Sequence, residues 1–366
     1  MPAPDTAAAN GVKLTGSFPG FDGIRLVASL SVLVSHAYLI AENSEARDPA
    51  TRLLGKDHIL GKYGVYTFFI ISGFLLTRSL SRDGNALTFT RNRVLRILPG
   101  FVFSAAFVAL IIGPMVTTQP LADYFRQPAT YRYIASSVRC FCDNWEAPFT
   151  WPVAGDLATA LNGSLWSLSY EVLSYMVLLW LWVILRHPAR VAVVLVAAAL
   201  ASMVSKPAEQ FMLALAYTLP YFAAGVGMFI VYRRFGTNRI GALVSALFLV
   251  VAAVFGVFGY AFMLFATYLV VFFAERPNPG SRFARRAGDL SYGIYLFGWP
   301  IEQFLKIHTG ASSGEVLFLY AVVPTLALAA LSWWVVERPF LRLKASGHRR
   351  AVPTLEPGSD SPFVPA

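Results

Sequence analysis

The chain contains 366 residues, of which 56% are hydrophobic and only 14% are charged. A soluble globular domain is about 45–50% apolar and about 25% charged. This composition therefore excludes an ordinary soluble protein, which would expose large apolar patches and aggregate. An ionised side chain at the bilayer centre costs roughly 2.5–3.5 kcal/mol, so scarce charge is typical of a lipid-facing surface.

Ten apolar runs follow one another along the chain. A helix rises about 1.5 Å per residue, so roughly 20 residues cross the hydrocarbon core. The runs do not alternate as the shorter strands of a membrane β-barrel do. We therefore expect an all-α, polytopic membrane helical bundle with about ten transmembrane helices, although the short fifth, seventh and eighth runs leave nine to eleven open. The runs lie near residues 22–41, 62–80, 97–118, 165–186, 189–205, 210–232, 239–256, 258–275, 289–308 and 316–337.

The charges between the runs predict the orientation of the bundle. Every second link is basic, as in segment 78–96, which holds five arginines against one aspartate. The intervening links are nearly neutral or acidic, as in the long segment 119–164. Because cytoplasmic loops carry excess Lys and Arg, this pattern places both termini in the cytoplasm. It also explains most of the net charge of +10, so we expect no nucleic-acid partner.

Composition divides the chain into three regions. Residues 1–20 form a flexible N-terminal lead-in without the apolar core of a signal peptide. Residues 21–344 form the membrane domain, with 119–164 as a long outer loop. Residues 345–366 are rich in Pro, Gly and Ser, which predicts a disordered tail. Cys140 and Cys142 are one residue apart in the outer loop, where a bond between them would be strained, and we expect no metal site.

Two polar residues in the first run share one helix face. Arg25 and His36 are eleven positions apart, which is about 20° more than three turns and roughly 16 Å along the axis. An isolated arginine in this position is often a snorkelling anchor, and an isolated histidine often makes a helix–helix hydrogen bond. Their common face favours a functional site.

Two further groups of polar residues are candidates. Arg93 and Arg96 are neighbours if their segment is helical, and guanidinium groups suit the phosphates of a nucleotide or coenzyme A. Plain positive-inside charge would also explain each of them. Glu171 begins the fourth run, where it could pair with His36 or remain an interfacial acid near a helix N-terminus.

Six motifs in order resemble the acyltransferase-3 family of integral membrane O-acyltransferases, over about residues 18–345. They read FDGIRLVASLSVLVSHAYL, GVYTFFIISGFLLTRSL, RNRVLRILPGF, SLWSLSYEVLSYMVLL, LSYGIYLFGWPIEQFL and VERPFLR. The chain departs from many relatives at Val172, where a second acid is common, and at Gly298, where a histidine is common. We therefore expect no catalytic residue in the last two spans.

The resemblance implies that an acyl group, first of all acetyl, moves from acyl-coenzyme A to a hydroxyl of a sugar in a surface polysaccharide or related glycan. It also implies a bacterial inner (cytoplasmic) membrane, with membrane lipids as neighbours. In this reading His36 is the general base, and Arg25 orients the donor. Glu171 would orient His36 or the acceptor. The donor-binding residues would be Arg93, Arg96, Arg25, Arg78 and Ser72, and Gly64 and Gly73 would allow close helix packing.

Two other functions remain open from the sequence. A transporter or flippase for a glycan or small molecule would also have ten spans with a buried arginine and histidine, and it would show no acyl chemistry. A membrane scaffold or sensor is disfavoured, because it gains nothing from polar residues within its spans.

Overall fold

The computed structural model describes residues 17–137, 148–152, 157, 160–205 and 210–346. Within these ranges the chain is helical and has no β-strand, which confirms the all-α prediction. Each of the ten predicted apolar runs falls largely on a helix. The N-terminal lead-in up to residue 16, the tail from residue 347, Cys140 and Cys142 lie outside the described residues.

Seventeen α-helices follow one another in the described part of the chain. They are α1 (Phe21–Glu42), α2 (Pro49–Leu54), α3 (Leu60–Asp83), α4 (Ala86–Phe107), α5 (Gly113–Val116), α6 (Leu121–Arg126), α7 (Pro128–Ser137), α8 (Trp166–Leu185), α9 (Pro188–Ser205), α10 (Gln210–Phe235), α11 (Arg239–Val254), α12 (Phe258–Ala261), α13 (Thr267–Ala274), α14 (Pro279–Ala287), α15 (Ser291–Thr309), α16 (Gly314–Ser332) and α17 (Arg338–Ser346). Turns of π-helix at Val108–Ile112, Phe262–Ala266 and Trp333–Glu337 join α4 to α5, α12 to α13 and α16 to α17.

Five helical segments of the described chain are long and apolar enough to cross a membrane. They are Phe21–Glu42, Leu60–Asp83, Ala86–Val116, Gly163–Leu185 and Gly314–Leu343. Three shorter apolar helices cover Pro188–Met203, Arg239–Val254 and Phe258–Ala274. The count of ten spans and the cytoplasmic placement of both termini therefore stay predictions.

The basic segment 78–96, which the sequence analysis treated as a link, is almost entirely helical. Helix α3 continues to Asp83 and α4 begins at Ala86, so only Gly84 and Asn85 join them. Gly84 has a left-handed φ of 59°, and the Asn85 side chain caps α4 by accepting a hydrogen bond from the Thr88 backbone N–H at 3.0 Å. The prediction missed this turn because positive charge looks the same on a helix end as in a loop.

The end of the long segment 119–164 packs against the middle of α15. The Asn162 amide donates to the Leu296 carbonyl at 2.8 Å, and the Trp299 indole donates to the Ala160 carbonyl at 2.8 Å. The Tyr295 hydroxyl donates to the Ser164 carbonyl. The bonds to the Ala160 and Ser164 carbonyls satisfy backbone groups outside the α-helices, which have to be buried in protein at this depth. They also place the start of α8 beside the middle of α15.

Helices α1 and α15 run parallel and in contact. Arg25 lies near Asp289 just before α15, Leu33 packs against Gly298, and the Lys306 ammonium donates to the Ala41 carbonyl at 2.9 Å. Helix α3 runs antiparallel to α1, because Gly61 at its start contacts Ser35 and Gly64 contacts Ala28. This arrangement fixes which levels of the three helices face one another.

Two glycines bring α3 and α10 into backbone contact. A Cβ at Gly73 would collide with the backbone of Phe222, and a Cβ at Gly225 would collide with the backbone of Ile70. Small residues allow this close approach between helices in a membrane, as the sequence analysis expected for Gly73.

We expect Gly73→Leu and Gly225→Val to destabilise the bundle by about 1–3 kcal/mol each, because both force α3 away from α10. The measurement is the Tm of the detergent-purified protein. Gly259→Ala is the matched control, since nothing lies within 4 Å of a Cβ at Gly259. A Tm unchanged in all three variants would contradict the close contact.

A network of charges joins four elements at one end of the bundle. Arg96 of α4 lies 2.6 Å from a carboxylate oxygen of Asp289 and 3.6 Å from Glu337. Arg25 of α1 lies 4.0 Å from the same oxygen of Asp289. The other carboxylate oxygen of Asp289 accepts a hydrogen bond from the Ser291 hydroxyl at 2.6 Å. The network links α1, α4, the start of α15 and the π-turn after α16.

We expect Arg96→Ala to lower the free energy of unfolding by about 3–5 kcal/mol, because it leaves Glu337 buried and unpaired and Asp289 with only the more distant Arg25. The Tm in detergent measures this loss. Arg126→Ala is the control, because Arg126 is exposed and lies 4.0 Å from Asp123. An equal Tm for both variants would show that the network does not stabilise the fold.

Candidate functional site

A cavity of about 490 Å³ lies between α1, α3, α4, α8 and α15. It contains five of the seven positions that the sequence analysis singled out for the site. These are Arg25, Ser72, Arg93, Arg96 and Glu171. Asp22 and Asp289 also line it, so three arginines face three acids and the lining as a whole is not strongly basic.

The three arginines of the cavity differ in their partners. Arg96 is paired with Asp289 and Glu337, and Arg25 lies 3.5 Å from Asp22. Arg93 forms no ion pair with a described carboxylate, and its buried Nε has no hydrogen-bond partner among the described residues. Arg93 is therefore the cavity arginine with the most capacity to bind an added anion.

A cluster of two hydroxyls and one carboxylate lies beside Arg93. The Ser72 hydroxyl donates to Glu171 Oε1 at 2.9 Å, and the Tyr175 hydroxyl donates to the same oxygen. The Ser72 and Tyr175 hydroxyl oxygens are 3.2 Å apart. Arg93 lies within electrostatic range of Tyr175 and Glu171. Glu171 thus binds Ser72 and Tyr175, and it makes no hydrogen bond with His36.

The sequence analysis left two alternatives for Glu171, a pair with His36 or an interfacial acid near a helix N-terminus. The structure places it beside Ser72 because residues 160–165 pack deep against α15 and start α8 there. A carboxylate can fix the orientation of a hydroxyl by accepting a hydrogen bond from it. Ser72 of α3 thus has a carboxylate partner from another helix, α8.

His36 lies beyond the deep end of the cavity. Its ring packs edge-on against Trp299 with the centroids 4.9 Å apart, and it makes no hydrogen bond with a described residue. On α3 the cavity reaches Val65, and the adjoining Gly64 contacts Val32, which is one turn before His36 on α1. On α15 the cavity reaches Tyr295, one turn before Trp299.

A stripe of side chains on α15 joins the cavity to His36. Tyr292, Tyr295 and Trp299 are spaced by three and four residues, so they share one side of the helix over roughly 10 Å. The Tyr292 hydroxyl donates to the Ile97 carbonyl at 2.8 Å, and Tyr295 donates to Ser164. These bonds fix the Tyr292 and Tyr295 rings on the side of α15 that extends from the cavity towards Trp299 and His36.

Arg78 does not line the cavity. Its guanidinium lies 4.9 Å from the ring centroid of Phe18, in a cation–π contact at the same end of the bundle. The described residues also contain no group of three or more His, Cys, Asp or Glu side chains that could hold a metal ion.

Sequence reasoning missed three residues of the site. Tyr175 lies one turn after Glu171 on α8, so the spacing of four could have indicated it. Asp289 and Glu337 lie close to several arginines in the sequence, so their own charge is not conspicuous there. Their pairing with Arg96 depends on contacts between helices far apart in sequence, which no local pattern reports.

Comparisons with known proteins identify a family and two relatives. The acyltransferase-3 family, described as an acyltransferase domain, matches residues 18–337. The chain is 30% identical over 364 residues to nodulation protein 10 of Rhizobium leguminosarum bv. viciae, covering 91% of this chain and 95% of that protein. It is 26% identical over 337 residues to an O-acetyl transferase of Shigella phage Sf6, covering 88% of this chain and 95% of that protein. No solved structure matches.

The match over residues 18–337 covers the helices that form the cavity, the stripe on α15 and His36. The apolar helices of spanning length are those of an integral membrane protein. The chain belongs to the acyltransferase-3 family of membrane acyltransferases.

Proposed function

We propose that the protein is an acyl-coenzyme A-dependent O-acyltransferase that transfers an acyl group, first of all acetyl, to a hydroxyl of a glycan sugar. The observation that supports it most is the cavity that holds Arg93, which forms no ion pair with a described carboxylate, and that reaches Tyr295 one turn before the Trp299 ring packed against His36. The relative named O-acetyl transferase supports the choice of acetyl.

In this proposal the phosphates of coenzyme A bind at the arginine end of the cavity. Arg93 supplies the main contact, because Arg96 is already paired with Asp289 and Glu337. Arg25 contributes from α1, where its acidic neighbours lie 3.5–4.0 Å away. A planar guanidinium binds phosphate oxygens in pairs, which suits this role.

The acyl-carrying arm of the donor then extends along α15 towards His36. Arg25 and His36 lie on one side of α1 and roughly 16 Å apart, so an extended arm can join a phosphate at one to a thioester at the other. Ser72, held by Glu171, contacts the arm near the phosphate end. Because Ser72 lies at the level of Arg25, we assign it to donor binding rather than to the transfer step.

The transfer itself takes place at His36. The imidazole accepts the proton of the acceptor hydroxyl while the hydroxyl oxygen attacks the thioester carbonyl carbon. The carbon–sulfur bond breaks, and the imidazolium passes its proton to the departing sulfur. The products are the O-acylated acceptor and coenzyme A. Imidazole suits this exchange because its unperturbed pKa lies nearest to neutral pH.

A transporter for a glycan or small molecule is the alternative, and it would use the same cavity without chemistry. The hydrogen-bonded Ser72–Glu171–Tyr175 cluster does not by itself separate the two functions. Loss of a thioester from acetyl-coenzyme A does, because a transporter leaves the thioester intact.

We expect purified protein to bind acetyl-coenzyme A and to release free thiol slowly, faster when a hydroxyl acceptor is present. Arg93→Ala should weaken donor binding at least tenfold, because it removes a charge-assisted contact with phosphate. His36→Ala should leave the donor Kd within about twofold and reduce thiol release at least a hundredfold, in line with loss of a general base. Titration calorimetry and a thiol-reactive dye give the two measurements.

Arg126→Ala is the matched control for loss of one arginine, since Arg126 is exposed and does not line the cavity. Absence of binding by acetyl-, succinyl- and longer acyl-coenzyme A would contradict the proposal and favour transport. Binding without thiol release in the native protein would contradict the enzymatic part alone.

A further inference from the structure

Glu302 is a fully buried acid that the proposed function leaves unused. It lies in α15, its exposure is 0%, and neither carboxylate oxygen has a hydrogen-bond partner among the described residues. A buried polar group without a partner costs free energy, and ionisable residues inside membrane helices mark functional sites by default. Packing alone does not account for a glutamate here.

The pairing of α1 with α15 fixes the level of Glu302. Gly298, one turn before it, packs against Leu33, and Lys306, one turn after it, donates to the Ala41 carbonyl. Because residues four apart on a helix share a face, Glu302 faces α1 midway between these contacts. That level is Ala37, which is itself fully buried and is the neighbour of His36.

The stripe on α15 also leads from His36 to Glu302. Trp299, whose ring packs against the His36 ring, is three residues before Glu302, so the two side chains are neighbours on one side of α15. The stripe Tyr292–Tyr295–Trp299 thus continues to a carboxylate at about the level of His36.

A general base needs one ring nitrogen free to accept a proton and the other held as a donor. A carboxylate that accepts the N–H of the second nitrogen fixes the tautomer and stabilises the imidazolium that forms during transfer. Neither His36 nor Glu302 has a hydrogen bond to a described residue, so each side chain is available as a hydrogen-bond partner for the other. Hydrogen bonds of this kind often tighten only when substrate is bound.

We propose that Glu302 is a positioning residue for His36, holding the imidazole from the side opposite the acceptor hydroxyl. This inference rests on the proposed function, in which His36 is the general base. It assigns a role to a residue of the span in which the sequence analysis expected none. Glu302 touches no reacting atom and acts only through His36.

The test compares Glu302→Gln, Glu302→Asp and the double variant His36→Ala/Glu302→Gln with the native protein. We expect Glu302→Gln to lower kcat about 10–100-fold with the donor Kd within twofold, and Glu302→Asp to recover part of kcat. The kcat of the double variant should be at most threefold lower than that of His36→Ala, because the effects of substituting two residues that act as a unit are not additive. Glu315→Gln is the control, since that acid is exposed and paired with Arg47 at 3.2 Å.

A purely structural role would give a different result. Glu302→Gln would then lower Tm and impair donor binding together, and its loss of activity would add to that of His36→Ala. Either outcome overturns the proposal.

A readout without turnover separates this inference from the proposed function. The rate of His36 modification by diethylpyrocarbonate, obtained by subtracting the rate in His36→Ala, should change at least threefold in Glu302→Gln and not in Glu315→Gln. If the native protein shows no thiol release but this rate changes, the proposed function fails and the pairing holds. If thiol release is normal and the rate is unchanged, the pairing fails alone.

Discussion

The carboxylate of Asp289, shared between Arg25 and Arg96, is the interaction on which the arrangement of the bundle depends. Asp289 directly precedes α15, so the contact fixes where that helix begins relative to α1 and α4. Opposite charges in a low-dielectric interior attract strongly, but burying them costs desolvation free energy. The ion pairs of Asp289 therefore contribute more to the relative position of the helices than to the free energy of unfolding. Once the start of α15 is fixed, its parallel contact with α1 determines what lies opposite His36.

This geometry separates the residues proposed to bind the donor from the proposed general base along the bundle axis. Charged and hydroxyl side chains collect at one end, around Arg93 and Glu171, whereas His36 packs against the Trp299 ring roughly 16 Å away. A donor with its charges at one end and its reactive thioester at the other matches such a division.

Local patterns predicted the helices and most members of the site, because a polar residue inside an apolar run is conspicuous. Arg25, Ser72, Arg93 and Glu171 do lie together. The partner of Glu171 could not be predicted, since residues 160–165 insert beside α15 and shift the level at which α8 begins. The pairing of Arg96 was equally hidden, because Asp289 and Glu337 are near 200 and 240 positions away along the chain and only the tertiary contact relates them.

The π-turn at Trp333–Glu337 has a consequence for how this chain can vary. A π-turn contains one residue more than the α-helical turn it replaces, so it turns everything after it by about 100° relative to a regular helix. Glu337 meets Arg96, and α17 meets Arg91 through the Leu343 carbonyl, only with that extra residue in place. A one-residue deletion here would restore a regular α-helix and turn Glu337 and Leu343 away from their partners. This segment therefore tolerates a substitution more readily than an insertion or a deletion.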